Sequence, residues 1–159
     1  MKSGPPGTPA LLQLAASLGT RDPVLIEDGM VVARDAGLDD EVGELILMAL
    51  FATGFPAGLQ AAETWSELRP GTPPSEPSAD VDFTARGRAC CEAVYGSQFE
   101  GLLRGLAHLH PDLPELVVSL GYGRMMSRPV LPDPLRELCL VAMLVPWQAE
   151  TQLYSHLRG

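Results

Sequence analysis

The chain has 159 residues, which is the length of one domain or of two small ones, and 46% of them are hydrophobic, enough for a core. Its formal net charge of −9 argues against nucleic acids and anionic membrane surfaces as partners. The 16 glycines and 15 prolines follow no period, which excludes a fibrous, collagen-like chain.

The number of cysteines and the uncharged segments of the chain indicate its cellular compartment. Cys90, Cys91 and Cys139 are too few for a disulfide framework, and an odd number suits a reducing compartment. Residues 1–20 carry a lysine followed by glycine and proline, which makes a poor signal peptide. The uncharged run 45–62 contains glycine and proline and indicates a buried helix and a turn, not a membrane span. We therefore expect a cytoplasmic protein without membrane contact.

Apolar residues in the first half recur at helical spacing, without sustained alternation. Asp22 is the predicted N-cap of a helix with Pro23 at its first position, and Gly37 follows the end of that helix. Asp39 or Asp40 is predicted to cap the next helix. The predicted helices are Pro9–Leu18, Pro23–Ala36, the segment from Asp39 or Asp40 to before Gly54, and Ala57–Glu67.

The segment Arg69–Asp80 reads RPGTPPSEPSAD and has no large apolar residue. Its prolines and small polar residues are typical of a linker or exposed loop. This segment separates residues 1–68 from residues 81–159.

The second half also has helical spacing, so the predicted fold class is all-α. We expect an irregular segment from Gly121 to Pro132 and an interruption of the last helical region at Pro146. The predicted helices are Val81–Val94, a following helix to His108, Pro114–Leu120, a helix from Asp133, and Trp147–Arg158.

Three stretches carry a resemblance to a known family. The stretch Gly121–Gly159 contains RELCLVAMLVPWQAETQLYSHLRG, Arg86–Gly96 reads RGRACCEAVYG, and Ala33–Ala61 reads ARDAGLDDEVGELILMALFATGFPAGLQA. They resemble segments of the carboxymuconolactone decarboxylase family, which shares its helical fold with the alkylhydroperoxidase D family. The resemblance implies an alkylhydroperoxidase D-like helical bundle.

The order of these stretches is unusual, because Ala33–Ala61 looks like the segment that normally follows the family's histidine helix. A degenerate tandem or a permuted domain would explain this order, and we favour the tandem. Its first repeat would be residues 1–68 and its second repeat residues 81–159, with the two halves packed together. The family resemblance also implies a homo-oligomer, from dimer to hexamer, and a mean hydropathy of +0.11 favours assembly.

Glu137 and His156 are the candidate catalytic residues. The helix from Asp133 is apolar nearly all round after Glu137, so that carboxylate is expected at the edge of a core. Gln148, Gln152 and His156 are spaced i, i+4 and i+8, which predicts one polar stripe. A carboxylate facing an imidazole can hold its tautomer and move a proton. The family resemblance places both residues in its site, whereas the alternative is a helix cap and a surface histidine.

The thiol chemistry of the alkylhydroperoxidase D pattern is missing. Its two cysteines, spaced between the positions of Glu137 and His156, would fall on Ala149 and Gln152. Peroxide reduction of that type needs an attacking and a resolving thiol, so we do not expect it. In the first half the matching Glu and His positions fall on Ala10 and Gly29, so that half carries no such site.

We therefore expect decarboxylation or proton transfer on a small carboxylated lactone or keto acid. Arg124, Arg128 and Gln152 are the candidate substrate-binding residues, since arginine forks suit carboxylates. Loop-anchoring salt bridges are the alternative role for the arginines. The alternative function is a non-catalytic helical oligomerisation module, with a thiol peroxidase the least favoured.

Two further patterns predict no chemistry. His108 and His110 stand at a predicted helix end without other metal-ligand spacing, so no metal is expected. Cys90 and Cys91 are adjacent in a predicted helix and are interpreted as packing thiols. No cofactor is expected.

Overall fold

The computed structural model describes residues 6–71, 75–76 and 80–158, and all regular structure among them is helical, which confirms the all-α class. The first five residues and much of the predicted linker lie outside the described residues. Short 3₁₀ turns cover Gly96–Gln98 and Val145–Trp147, and a π-helix covers Val117–Met126. The α-helices are α1 Thr8–Thr20, α2 Pro23–Asp35, α3 Asp39–Ala52, α4 Phe55–Leu68, α5 Phe83–Tyr95, α6 Phe99–Leu109, α7 Leu113–Leu116, α8 Asp133–Leu144 and α9 Glu150–Arg158.

The described residues form two compact units, one of residues 6–71 with 130–158 and one of residues 75–76 with 80–129. This division differs from the predicted halves 1–68 and 81–159, because α8 and α9 belong to the same unit as the helices of the first half. Packing of the first-half helices with α8 was predicted, and it is confirmed for α3. The tandem ancestry of the halves stays a prediction.

Local signals explain where most helices begin. The Asp22 carboxylate accepts hydrogen bonds from the amides of Val24 and Leu25, as expected for an N-cap ahead of Pro23. The capping role predicted for Asp39 or Asp40 is wrong. The N-cap of α3 is Leu38, which makes no side-chain bond, and both aspartates lie in the first turn, where their charge favours the helix dipole.

In the first unit, α1 packs against α2, α3 and α8. Its inward face is mostly apolar, with Ser17 as a buried polar residue, and a Cβ added at Gly19 would lie 2.3 Å from the carbonyl oxygen of Met143 in α8. Only glycine allows the two backbones to approach this closely. The core residues contributed by α1 and its neighbours include Leu11, Leu14, Leu18, Met30, Val42, Leu45, Met48 and Met143.

Several large apolar side chains of this unit are exposed. Val24 and Leu25 are 65% and 46% exposed, because α2 turns Ile26 and Met30 inward instead. Leu138 is 50% exposed, so α8 is buried on one face rather than all round.

In the second unit, α5 packs against the π-helix. A Cβ at Gly87 would lie 1.9 Å from the Val118 carbonyl oxygen, and one at Gly123 would lie 2.0 Å from the Phe83 carbonyl oxygen. The hydroxyls of Tyr95 and Tyr122 also hydrogen-bond at 2.5 Å across this contact. The predicted irregular segment from Gly121 is therefore helical as far as Met126, since the small residues allow the wider π turn to seat against α5.

Across the described part of the chain, no helix combines the length and the apolar character needed to cross a membrane.

Replacing Gly19 with alanine is expected to lower the free energy of unfolding by about 2 kcal/mol or more, because the new methyl meets the backbone of α8. Urea unfolding followed by circular dichroism measures this change. The control is Gly43→Ala in α3, where nothing lies within 4 Å, and helix propensity should stabilise this variant by up to about 1 kcal/mol. Equal stability of Gly19→Ala and the wild type would contradict the close contact.

Candidate functional site

The structure brings Glu137 and His156 together. The His156 Nδ1 atom lies 2.8 Å from the Glu137 Oε2 atom, and the two side chains are 14% and 13% exposed. Both residues belong to the first compact unit. The pair is thus shielded from bulk solvent but not sealed off from it.

A turn between α8 and α9 positions the histidine. After the 3₁₀ turn, Gln148 adopts a left-handed conformation with φ of 53°, and α9 begins at Glu150 and packs on α8. The predicted polar stripe is therefore wrong at its start, because Gln148 lies in the turn and not on the helix. His156 alone of that stripe reaches the carboxylate of Glu137.

A buried ion pair sets the rotation of α8. Both terminal nitrogens of Arg136 donate to the Glu44 Oε2 atom at 3.2 Å, and the two side chains are only 1% and 4% exposed. Adjacent helical residues point about 100° apart. With Arg136 turned into the core, its neighbour Glu137 is placed at the edge of the core.

This ion pair was not predicted from the sequence. The available signal is that both Glu44 and Arg136 lie within strongly apolar helices, where a buried charge requires a partner.

The Glu137–His156 geometry defines a proton site. A carboxylate oxygen can only accept, so the Nδ1 atom of His156 carries the proton that it donates to Glu137. The Nε2 atom of the ring is then the nitrogen that can exchange a proton with a reactant, as acceptor in the neutral ring and as donor in the charged ring. The pair can therefore deliver or remove one proton at a defined atom.

The predicted substrate-binding residues have other contacts or are exposed. The guanidinium of Arg124 lies 3.9 Å from the ring centroid of Phe83, and Arg128 pairs with Glu76 at 3.2 Å. Both arginines belong to the second unit. Gln152 is exposed on α9. Their role toward a substrate stays a prediction.

A groove of about 450 Å³ lies elsewhere in the first unit. Its lining includes the charged residues Arg21, Glu63 and Glu67 and the apolar residues Ile26 and Ala61. The Arg21 guanidinium also lies 3.7 Å from the ring centroid of Trp147. Neither Glu137 nor His156 lines this groove.

Two of the thiols are buried. Desolvation by burial raises the pKa of Cys91 to about 12, with the neighbouring Cys90 adding to the rise, and burial likewise raises the pKa of Cys139 to about 12. Thiolate is the nucleophilic form, so both groups are poor nucleophiles at neutral pH. Within the described ranges, no cluster of three histidine, cysteine or acidic side chains could hold a metal ion.

Comparison with known proteins finds a partial relative. Peroxisomal protein 2 of Schizosaccharomyces pombe is 30% identical over 114 residues, which cover 67% of this chain and 52% of that protein. The chain therefore spans about half the length of this curated relative. No protein-family model matches the chain, and no solved structure matches it significantly.

Removing one member of the buried ion pair should be costly. We expect Arg136→Met to lower the free energy of unfolding by about 3–5 kcal/mol, because Glu44 then keeps a buried charge without its guanidinium. Adding Glu44→Leu in the same chain should recover most of this loss, since the two effects are coupled. Urea unfolding of both single variants and the double variant measures the coupling.

The matched control for this measurement is Arg69→Met. Arg69 pairs with Asp39, but the two side chains are 57% and 35% exposed, so a loss below about 1 kcal/mol is expected. Strictly additive losses in the buried pair would contradict a direct interaction.

The thiols should not support peroxidase chemistry. With a pKa of about 12, only about one molecule in 10,000 carries a thiolate at Cys91 or Cys139 at pH 8. In folded protein at pH 8 we therefore expect iodoacetamide to spare these two thiols, as read by mass spectrometry, and to modify all three in urea. Turnover of an organic hydroperoxide with a dithiol, lost in Cys90→Ser or Cys91→Ser, would contradict this expectation.

Proposed function

We propose that the chain catalyses proton transfer in a carboxymuconolactone decarboxylase-like reaction, with Glu137 and His156 as the acid–base pair. The substrate would be a small carboxylated lactone or a keto acid. The observation that carries this proposal is the 2.8 Å contact between the shielded side chains of Glu137 and His156.

The chemistry of decarboxylation explains the need for such a pair. Breaking the bond between the substrate carbon and its carboxylate releases CO₂ and leaves the electron pair on that carbon, delocalised into the adjacent carbonyl. The charged His156 ring donates its Nε2 proton to that carbon and becomes neutral, and water then restores the proton. Glu137 stabilises the charged ring and keeps its Nδ1 proton in place.

The resemblance to the carboxymuconolactone decarboxylase family supports the reaction class, and it also suggests the alkylhydroperoxidase D-like arrangement of the helices. Absence of the paired cysteines at Ala149 and Gln152 favours the decarboxylase branch. The name of the fission yeast relative refers to peroxisomes and not to a reaction. A cytoplasmic location and substrate binding by Arg124, Arg128 and Gln152 belong to the same proposal.

A second candidate function is a non-catalytic helical assembly module. Exposed apolar side chains on the first unit favour it, including Val24 on α2 and Phe55 on α4, each 65% exposed. Assembly and catalysis are compatible, so a homo-oligomer by itself would not distinguish the two functions.

The decisive experiment follows CO₂ release from 4-carboxymuconolactone and from the keto acids oxaloacetate and acetoacetate. We expect Glu137→Gln and His156→Gln to lower kcat/KM by about 10²–10⁴, because each removes part of the proton-transfer pair. The matched control is Glu150→Gln at the exposed start of α9, which should retain the wild-type rate.

A second readout separates loss of chemistry from loss of fold. Nitrogen NMR of His156 should show the Nδ1 proton tautomer in the neutral wild-type ring and a shift away from it in Glu137→Gln, with circular dichroism unchanged. Folded wild type that releases no CO₂ from any of the three acids, and whose light-scattering mass is that of an oligomer, would favour the assembly module instead.

A further inference from the structure

The second compact unit contains a carboxylate clamp built from two arginines. Arg86 Nη1 donates to the Glu76 Oε1 atom at 2.6 Å, and Arg128 Nη1 donates to the Glu76 Oε2 atom at 3.2 Å. Each carboxylate oxygen thus has its own guanidinium. The three side chains are 21%, 15% and 17% exposed, so this cluster is largely shielded from solvent.

The position of Arg86 does not depend on Glu76. Its Nε atom donates to the Ser127 hydroxyl at 2.7 Å, and its Nη2 atom donates to the Ser127 carbonyl oxygen at 2.6 Å. The Ser127 hydroxyl in turn donates to the Gly123 carbonyl oxygen at 3.0 Å. Ser127 therefore holds two of the three nitrogens of the Arg86 guanidinium, and the third nitrogen donates to the Glu76 carboxylate.

Hydrogen bonds and close packing also hold the backbone at Arg86 and at Ser127. Arg86 lies in the first turn of α5, which Asp82 caps by accepting from the amides of Thr84 and Ala85. Ser127 caps the π-helix, and its amide donates to the Tyr122 carbonyl oxygen. The Gly87 contact described above brings these two helices together next to Arg86. The Arg86 guanidinium is thus preorganised before any carboxylate reaches it.

We propose that the Arg86–Arg128 clamp is a binding site for a small organic carboxylate, which Glu76 occupies from within the chain. Two guanidiniums that each take one oxygen of a planar carboxylate match the recognition of a free carboxylate ion. Glu76 belongs to the proline-rich segment Arg69–Asp80 and lies outside regular structure. An incoming carboxylate would displace it without disturbing the bonds between Arg86 and Ser127. The proposal rests on contacts within the second unit alone and does not depend on the proton transfer proposed for Glu137 and His156.

The proposal predicts competition. An internal carboxylate that fills the clamp for more than about nine-tenths of the time weakens binding of an external one by at least about tenfold. Glu76→Gln should therefore bind succinate and acetate at least about tenfold more tightly than the wild type does. Calorimetric titration at matched ionic strength measures both affinities, because salt screens such contacts.

Three variants separate the clamp from general charge effects. Glu115→Gln removes an exposed carboxylate of α7 and should leave the affinity for succinate unchanged. Glu76→Asp keeps the charge but shortens the side chain by one methylene, so it should bind succinate with intermediate affinity. Adding Arg128→Gln to Glu76→Gln should abolish the gain.

The outcomes are distinguishable even if Glu76→Gln folds poorly, because Glu76→Asp keeps both ion pairs possible and tests the same competition. Equal affinities for succinate in folded Glu76→Asp, Glu76→Gln and wild type would overturn the proposal and leave Glu76 as a structural anchor. A similar gain in Glu115→Gln would overturn it in favour of net charge. Tighter binding of inorganic phosphate without tighter binding of carboxylates would overturn the assignment of the ligand class.

Discussion

The ion pair between Arg136 and Glu44 constrains the first compact unit more than any other polar contact described in it. Two charges that are almost completely buried must meet, since either one without the other would be strongly destabilising. Their ion pair fixes the rotation of α8 about its own axis relative to α3. Because helical neighbours diverge by about 100°, the same rotation places Glu137 at the core edge, where α9 brings His156 to it.

Close backbone contact through glycine is the second constraint, and it recurs in both units. Gly19 admits the backbone of α8 in the first unit, and Gly87 admits the π-helix in the second. In each case a methyl group would overlap a carbonyl oxygen, so the contact excludes every larger residue. These contacts hold helices at separations that larger side chains would not allow, and the polar pairs nearby depend on those separations.

The charged clusters differ in what they can do. Arg136 and Glu44 lie inside the core, where a pair stabilises the fold but has no access to a ligand. Glu137 and His156 are partly shielded, which suits a group that must exchange a proton with a reactant. The proposed clamp of Arg86 and Arg128 is similarly shielded, and Glu76, which it holds, lies outside regular structure. The degree of burial therefore separates the structural ion pair from the two clusters for which we propose roles in binding and chemistry.

The sequence by itself determined the all-α class, most of the helix starts and the candidate pair Glu137 and His156. These features depend on local signals, such as the Asp22-Pro23 start and the apolar periodicity, or on a resemblance carried by contiguous residues. Tertiary structure alone decided which charges meet. Arg136 and Glu44 are 92 residues apart, and Arg86 and Glu76 belong to a helix and to a loop, so no local pattern pairs them. Tertiary packing also left Val24 and Leu138 on the surface and kept residues 121–126 helical, because burial depends on the faces that neighbouring helices cover.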